Sequence, residues 1–116
     1  VPPYTQADIL NYIKLSLGNL YHGLCHTRIH APRQALRQTL PELYKQIFFI
    51  LQNLQFFRTG NFCGTKKDLL AQLSGEDHAV LQWEIDHRGR VDWELDGAFN
   101  LLFDWCQSTL NHLTEF

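Results

Sequence analysis

Apolar residues recur at three- and four-residue spacing along almost the whole chain, and apolar–polar alternation is confined to short stretches. That periodicity is helical and not extended. The first run, residues 8 to about 30, puts Ile9, Ile13, Leu17, Leu20 and Leu24 on one stripe, with Thr5 or Gln6 as its start after a pair of prolines. Gly18 and Gly23 each weaken a helix, so a kink or early end is expected near Gly23. Pro32 suits the first turn of a short helix over residues 33–39, and Pro41 likewise opens one over about 42–58. That third helix carries Leu43, Tyr44, Ile47, Phe48, Phe49, Ile50, Leu51, Leu54, Phe56 and Phe57 around most of its circumference. A helix apolar nearly all round is expected to be buried on several sides.

The run ends at Arg58-Thr59-Gly60-Asn61-Phe62-Cys63-Gly64-Thr65-Lys66-Lys67. Two glycines allow a shaped corner there, because they reach backbone angles that other residues avoid. Thr65 with Asp68 reads as a capping pair for a short helix over 66–73, and Ser74 with Asp77 as a second pair for a helix reaching about His87. Arg88-Gly89-Arg90 is a turn, and a last helix is expected over about 92–113. The pattern therefore predicts an all-α fold: one domain, residues 1–116, built as a bundle of five to six helices around the central apolar helix at about 42–58.

Composition narrows the function. The 116 residues hold 45% hydrophobic and 13% aromatic side chains, enough for a single packed core. The formal charge is -2 and the pI about 6.3, which argues against bulk nucleic-acid binding. No apolar run approaches the roughly 20 residues of a membrane span, and no leader pattern is present. Cys25, Cys63 and Cys106 are odd in number and widely spaced, the usage expected of reduced thiols in the cytoplasm. The chain opens Val1-Pro2-Pro3 and contains no methionine. The expectation is the C-terminal part of a larger protein.

A few clusters could carry chemistry. His22, His26 and His30 stack on one helix face, but the outer pair lies about 12 Å apart and no carboxylate is nearby in sequence, so no metal site is assigned. Trp83, Glu84, Asp86, Asp92, Trp93 and Glu94 combine carboxylates with aromatic faces, a mixture suited to a small cationic, hydroxylated ligand. Asp92-Trp93-Glu94 also mimics a Mg²⁺-holding acidic pair, although acid in a first helical turn is equally ordinary dipole complementation. Lys66 and Lys67 at a helix start suit a phosphate, or simply a solvated helix end. Cys63, beside Gly64 and with Lys66 and Lys67 nearby, is the one candidate nucleophile, and no catalytic motif accompanies it.

The order Phe56-Phe57-Arg58-Thr59-Gly60, Thr65-Lys66-Lys67-Asp68-Leu69-Leu70, Leu73-Ser74-Gly75-Glu76-Asp77, Val80-Leu81-Gln82-Trp83 resembles the C-terminal helical domain of antibiotic-type, aminoglycoside adenylyltransferase-like nucleotidyltransferases. The start of the chain, proline followed by Asp8-Ile9-Leu10, is similar to the linker entering such a bundle. Where that family often has Ala-Arg and an aromatic after the acidic turn, this chain has Trp83-Glu84-Ile85-Asp86-His87. The catalytic Gly-Ser and Asp-x-Asp elements have no counterpart here. The resemblance thus implies that the nucleoside triphosphate and Mg²⁺ belong to an N-terminal nucleotidyltransferase domain or partner chain. This bundle, not catalytic by itself, would hold the acceptor through Trp83, Glu84, Asp86, Asp92, Trp93 and Glu94, with Lys66 and Lys67 for phosphate. The alternative is a stand-alone helical interaction module that partners a minimal nucleotidyltransferase. Homo-oligomer formation and metal binding by His22 and His26 stay open at this point.

Overall fold

The computed structural model describes residues 5–30 and 33–115, which fold as α1 (Gln6–His30), α2 (Arg33–Lys45), α3 (Ile47–Thr59), α4 (Lys66–Gln72), α5 (Gly75–His87) and α6 (Leu95–Leu113). No strand occurs among the described residues. The all-α expectation is met. The calls that fall on residues 1–4 and on Pro32 lie outside the described residues.

The start of α1 is set by a reciprocal cap. The Thr5 amide donates to Asp8 Oδ2 and the Asp8 amide donates to Thr5 Oγ1, each at 3.1 Å, which satisfies two amides that the first turn would otherwise leave open. The helix does not stop at Gly23. Ile13, Leu17, Leu20 and Leu24 are buried along its inner stripe, and tertiary packing of that stripe outweighs the roughly 1 kcal/mol that a helical glycine costs. Thr27 Oγ1 donates to the Gly23 carbonyl at 2.7 Å, adding a local tie across the same turn.

The expected boundary at Pro41 is corrected. Pro41 lies inside α2, and the break falls five residues later, at Gln46. Proline cannot donate to the carbonyl one turn back, but Leu40 and Tyr44 on either side of it are both fully buried, and their packing carries the helix through. At the break the Gln46 amide donates to Leu43 O at 3.2 Å, a tightened three-residue turn, and Gln46 keeps right-handed angles of φ -77 and ψ -22. The helix expected over 42–58 is therefore split between α2 and α3.

α3 packs against α1, α2, α4 and α5, which makes it central as expected. It is buried on several sides, though not all round. Ile47, Ile50, Leu51, Gln52 and Leu54 are buried and Phe48, Phe56 and Phe57 are half-buried, whereas Phe49 is 56% exposed. Gly60 ends the helix in the left-handed region at φ 79, its amide donating to Phe56 O at 2.8 Å. The corner that follows is pinned from inside: Gln52 Nε2 donates to the Cys63 carbonyl at 2.7 Å. Thr65 then caps α4, accepting from the Asp68 amide at 3.1 Å.

The second expected capping pair does not form. Ser74 makes no side-chain cap bond. Asp77 is taken instead by the fully buried Trp105, whose Nε1 donates to Oδ1 at 2.7 Å, and by Arg58, which donates to Oδ2 at 3.0 Å. The last helix also begins later than expected, at Leu95 and not Asp92. Trp93 is buried, and its Nε1 donates to His87 O at 3.0 Å, so residues 92–94 bridge from the turn into the core before the helix begins. Glu94 serves as the cap, its carboxylate accepting from the Gly97 amide.

Candidate functional site around Glu84

α5 presents Val80, Leu81 and Glu84 on its buried side, one helical turn covering all of them. Glu84 thus occupies a core position with a charged side chain that is only 5% exposed. One carboxylate oxygen, Oε1, accepts from Lys66 Nζ. The other, Oε2, has no hydrogen-bond partner among the described residues. An ionised carboxylate retained in a core position is costly unless each oxygen is answered, so the open acceptor singles this residue out.

Aromatic side chains form the wall beside it. Trp83 stacks on His87, with ring centroids 3.9 Å apart and planes inclined by 10°. Trp93 meets Tyr44 edge-on at 5.3 Å and Trp83 edge-on at 6.3 Å. Tyr44, from α2, donates its hydroxyl proton to Ala98 O at 2.6 Å; burial, and then the neighbouring Cys106, push its ionisation above the ordinary phenol range. His87 Nδ1 lies 2.9 Å from Trp83 O. Trp83 Nε1 is buried without a hydrogen-bond partner, a second open polar atom in the same wall.

Two hollows open against Glu84. One, about 290 Å³, is lined by Tyr44, Lys45, Glu84, Arg88 and Trp93 among others. The other, about 350 Å³, is lined by Lys45, Phe48, Phe49, Lys66, Glu84 and Arg88. Lys45, Glu84 and Arg88 line both, so the hollows adjoin.

The structure brings together part of the set expected from sequence. Trp83, Glu84 and Trp93 converge, and Lys66 joins them from α4 as the Glu84 partner, its ammonium also 5.8 Å from the centre of the Phe48 ring. Asp86 is exposed and accepts from Gln82 at 2.8 Å. Asp92 is exposed and bound by both arms of a fork from Arg90, at 3.1 and 3.0 Å. The Arg90 hydrogen bonds hold the Asp92 carboxyl below the usual carboxylate range. Glu94 caps α6, and Lys67 is exposed beyond Lys66.

Lys45, Phe48 and Arg88 were not among the site residues expected from the sequence. Two signals for them were present: Arg88 is four residues beyond Glu84, and Lys45 and Phe48 are one turn apart across the α2–α3 joint.

The remaining clusters lie elsewhere. His22 and His26 are exposed on α1, and among the described residues no group of three or more His, Cys, Asp or Glu side chains could hold a metal ion. Cys63 is buried, 6% exposed, and therefore withdrawn from the surface as a nucleophile. All three cysteines are free. No described helix is long and apolar enough to cross a membrane. No protein family, curated protein or solved structure matches the chain.

Proposed function

We propose that this bundle is a ligand-holding domain, accessory to nucleotidyl transfer carried out by a separate domain or partner chain, with Glu84 as the group that receives the acceptor. Mg²⁺ and the nucleoside triphosphate would sit on that other domain. The observation that carries the reading is Glu84 Oε2: a carboxylate oxygen withdrawn into the core with no donor among the described residues, on a side chain that lines two adjoining hollows. A hydroxyl or amine of a bound molecule supplies the missing donor once the carboxyl group turns toward the hollow it lines, and the charge makes that bond roughly twice as strong as one between neutral groups. Lys66 holds the other oxygen and so fixes the carboxylate for its partner. Trp93 and Tyr44 contribute an apolar wall against which a ring can lie. A stand-alone interaction module has no need of such an oxygen in its interior.

Calorimetric titration of the full chain against aminocyclitols, nucleosides and nucleotides tests this reading. At least one compound is expected to bind saturably, and Glu84→Gln, which keeps the size and the acceptor facing Lys66, is expected to weaken that binding at least about tenfold. Absence of binding across the panel, or unaltered affinity in Glu84→Gln, overturns the role assigned to Glu84.

A further inference from the structure

The surroundings of Glu84 say more about the occupant than that it donates a hydrogen bond. The larger hollow is bordered by three cations, Lys45, Lys66 and Arg88, against the one carboxylate of Glu84. Lys66 is committed to Glu84. Lys45 pairs with Glu42 at 3.1 Å, but both side chains are more than half exposed, at 60% and 68%, so this pairing holds the lysine only weakly. Arg88 is exposed and pairs with no carboxylate among the described residues. Its planar guanidinium matches the geometry of a phosphate, which it can bind through two parallel bonds. A polycation entering this hollow meets net repulsion, whereas an anion gains.

The same hollow has ring surface. Phe49 is 56% exposed, Phe48 is half-buried, and their centroids lie 5.5 Å apart. Exposed aromatic faces beside basic side chains suit a flat ring joined to an anionic group. The volumes, about 290 and 350 Å³, fall at the lower end of small-molecule sites.

We infer, on the reading of Glu84 given above, that the occupant is a small ring-bearing anion: an amine on the ring donates to the Glu84 carboxylate, and a phosphate lies on Arg88 and Lys45. A nucleoside monophosphate carries all of these groups in one molecule. The acceptor held here is then itself phosphorylated, and a bare polyamine is excluded by charge.

The test titrates the full chain with AMP, adenosine, ribose 5-phosphate and a polycationic aminocyclitol. AMP is expected to bind at least about tenfold more tightly than each of the others. Arg88→Ala is expected to remove most of the advantage of AMP over adenosine while leaving adenosine unchanged. Glu84→Gln should weaken both. Arg88 follows the last residue of α5 and is exposed, so its truncation leaves the core intact. Adenosine or the aminocyclitol binding as well as AMP, or Arg88→Ala leaving AMP unaffected, overturns the anion assignment while Glu84 stands. If AMP binds and Glu84→Gln changes nothing, the amine contact fails and the role of Glu84 fails with it; if none of the four binds, this inference fails, and only the wider panel above decides Glu84.

Discussion

Replacing Lys66 with methionine removes the cation and keeps the length of the side chain. It leaves Glu84, with a side chain 5% exposed, holding a charge with no partner on either oxygen. Breaking a buried pair in this way costs about 3–5 kcal/mol when both groups are fully withdrawn from water. Lys66 itself is 25% exposed, so some solvent already reaches the pair and the expected loss is about 2–3 kcal/mol. Glu84→Leu behaves differently. It strands Lys66, but a lysine can extend its flexible stem to water, so the loss should be near 1 kcal/mol. The double variant, Lys66→Met with Glu84→Leu, puts apolar groups on both sides and should return to within about 1 kcal/mol of the parent. Urea unfolding followed by far-UV circular dichroism reads all four corners of this cycle, provided the dependence on denaturant stays constant. For a chain whose total stability is about 5–15 kcal/mol, these differences are large. A Lys66→Met loss below about 0.5 kcal/mol, with no coupling between the sites, would refute the claim that Glu84 sits in the core as a charged group held by Lys66.

The remaining predictions concern the corner and the core. Gly60→Ala should destabilise by about 1–2 kcal/mol through backbone strain alone, since φ is 79 and an added Cβ would meet nothing within 4 Å; a thermal melt unchanged by the substitution would show that the corner does not need the left-handed angle. Burial, with a lesser contribution from Cys25, pushes the Cys106 thiol from the ordinary 9.0 up to about 12. This group is protonated in the fold when it would already ionise in the unfolded chain. Its contribution to stability is fully present below about pH 9 and is lost as pH rises toward about 12, at about 1.4 kcal/mol per pH unit. Denaturant titrations under reducing conditions should show that slope in the parent and a shallower one in Cys106→Ala; equal slopes would assign the alkaline loss to another group.

Much of the helical layout was legible because it depends on local signals. Thr65 with Asp68 forms the cap its spacing announces, and the first helix starts at Gln6, one of the two starts expected. Gly60 and Gly89 adopt positive φ at the ends where turns were expected. Where the reading failed, a contact distant in sequence won. Pro41 stays within α2 because its neighbours Leu40 and Tyr44 are buried in the core, Tyr44 donating to Ala98 O 54 residues away. Asp77 leaves its expected cap because Trp105, 28 residues away, takes its carboxylate. Asp92 and Glu94 fall outside the last helix because Trp93 is drawn into the core.

The candidate site divides in the same way. Trp83, Glu84 and Trp93 could be marked as a group by residue type, since acids beside aromatics are visible in the chain itself. That Glu84 is buried while Asp86, Asp92 and Glu94 are exposed was not visible, because burial depends on which helical face meets a neighbour. Nor was the pairing of Lys66 with Glu84, which joins α4 to α5 across 18 residues. Sequence alone determined that the chain is helical and roughly where its turns fall, since periodicity and capping act within a few residues. Which carboxylate enters the interior, and which cations gather about it, was decided only by packing, which brings distant residues together and removes water from between them.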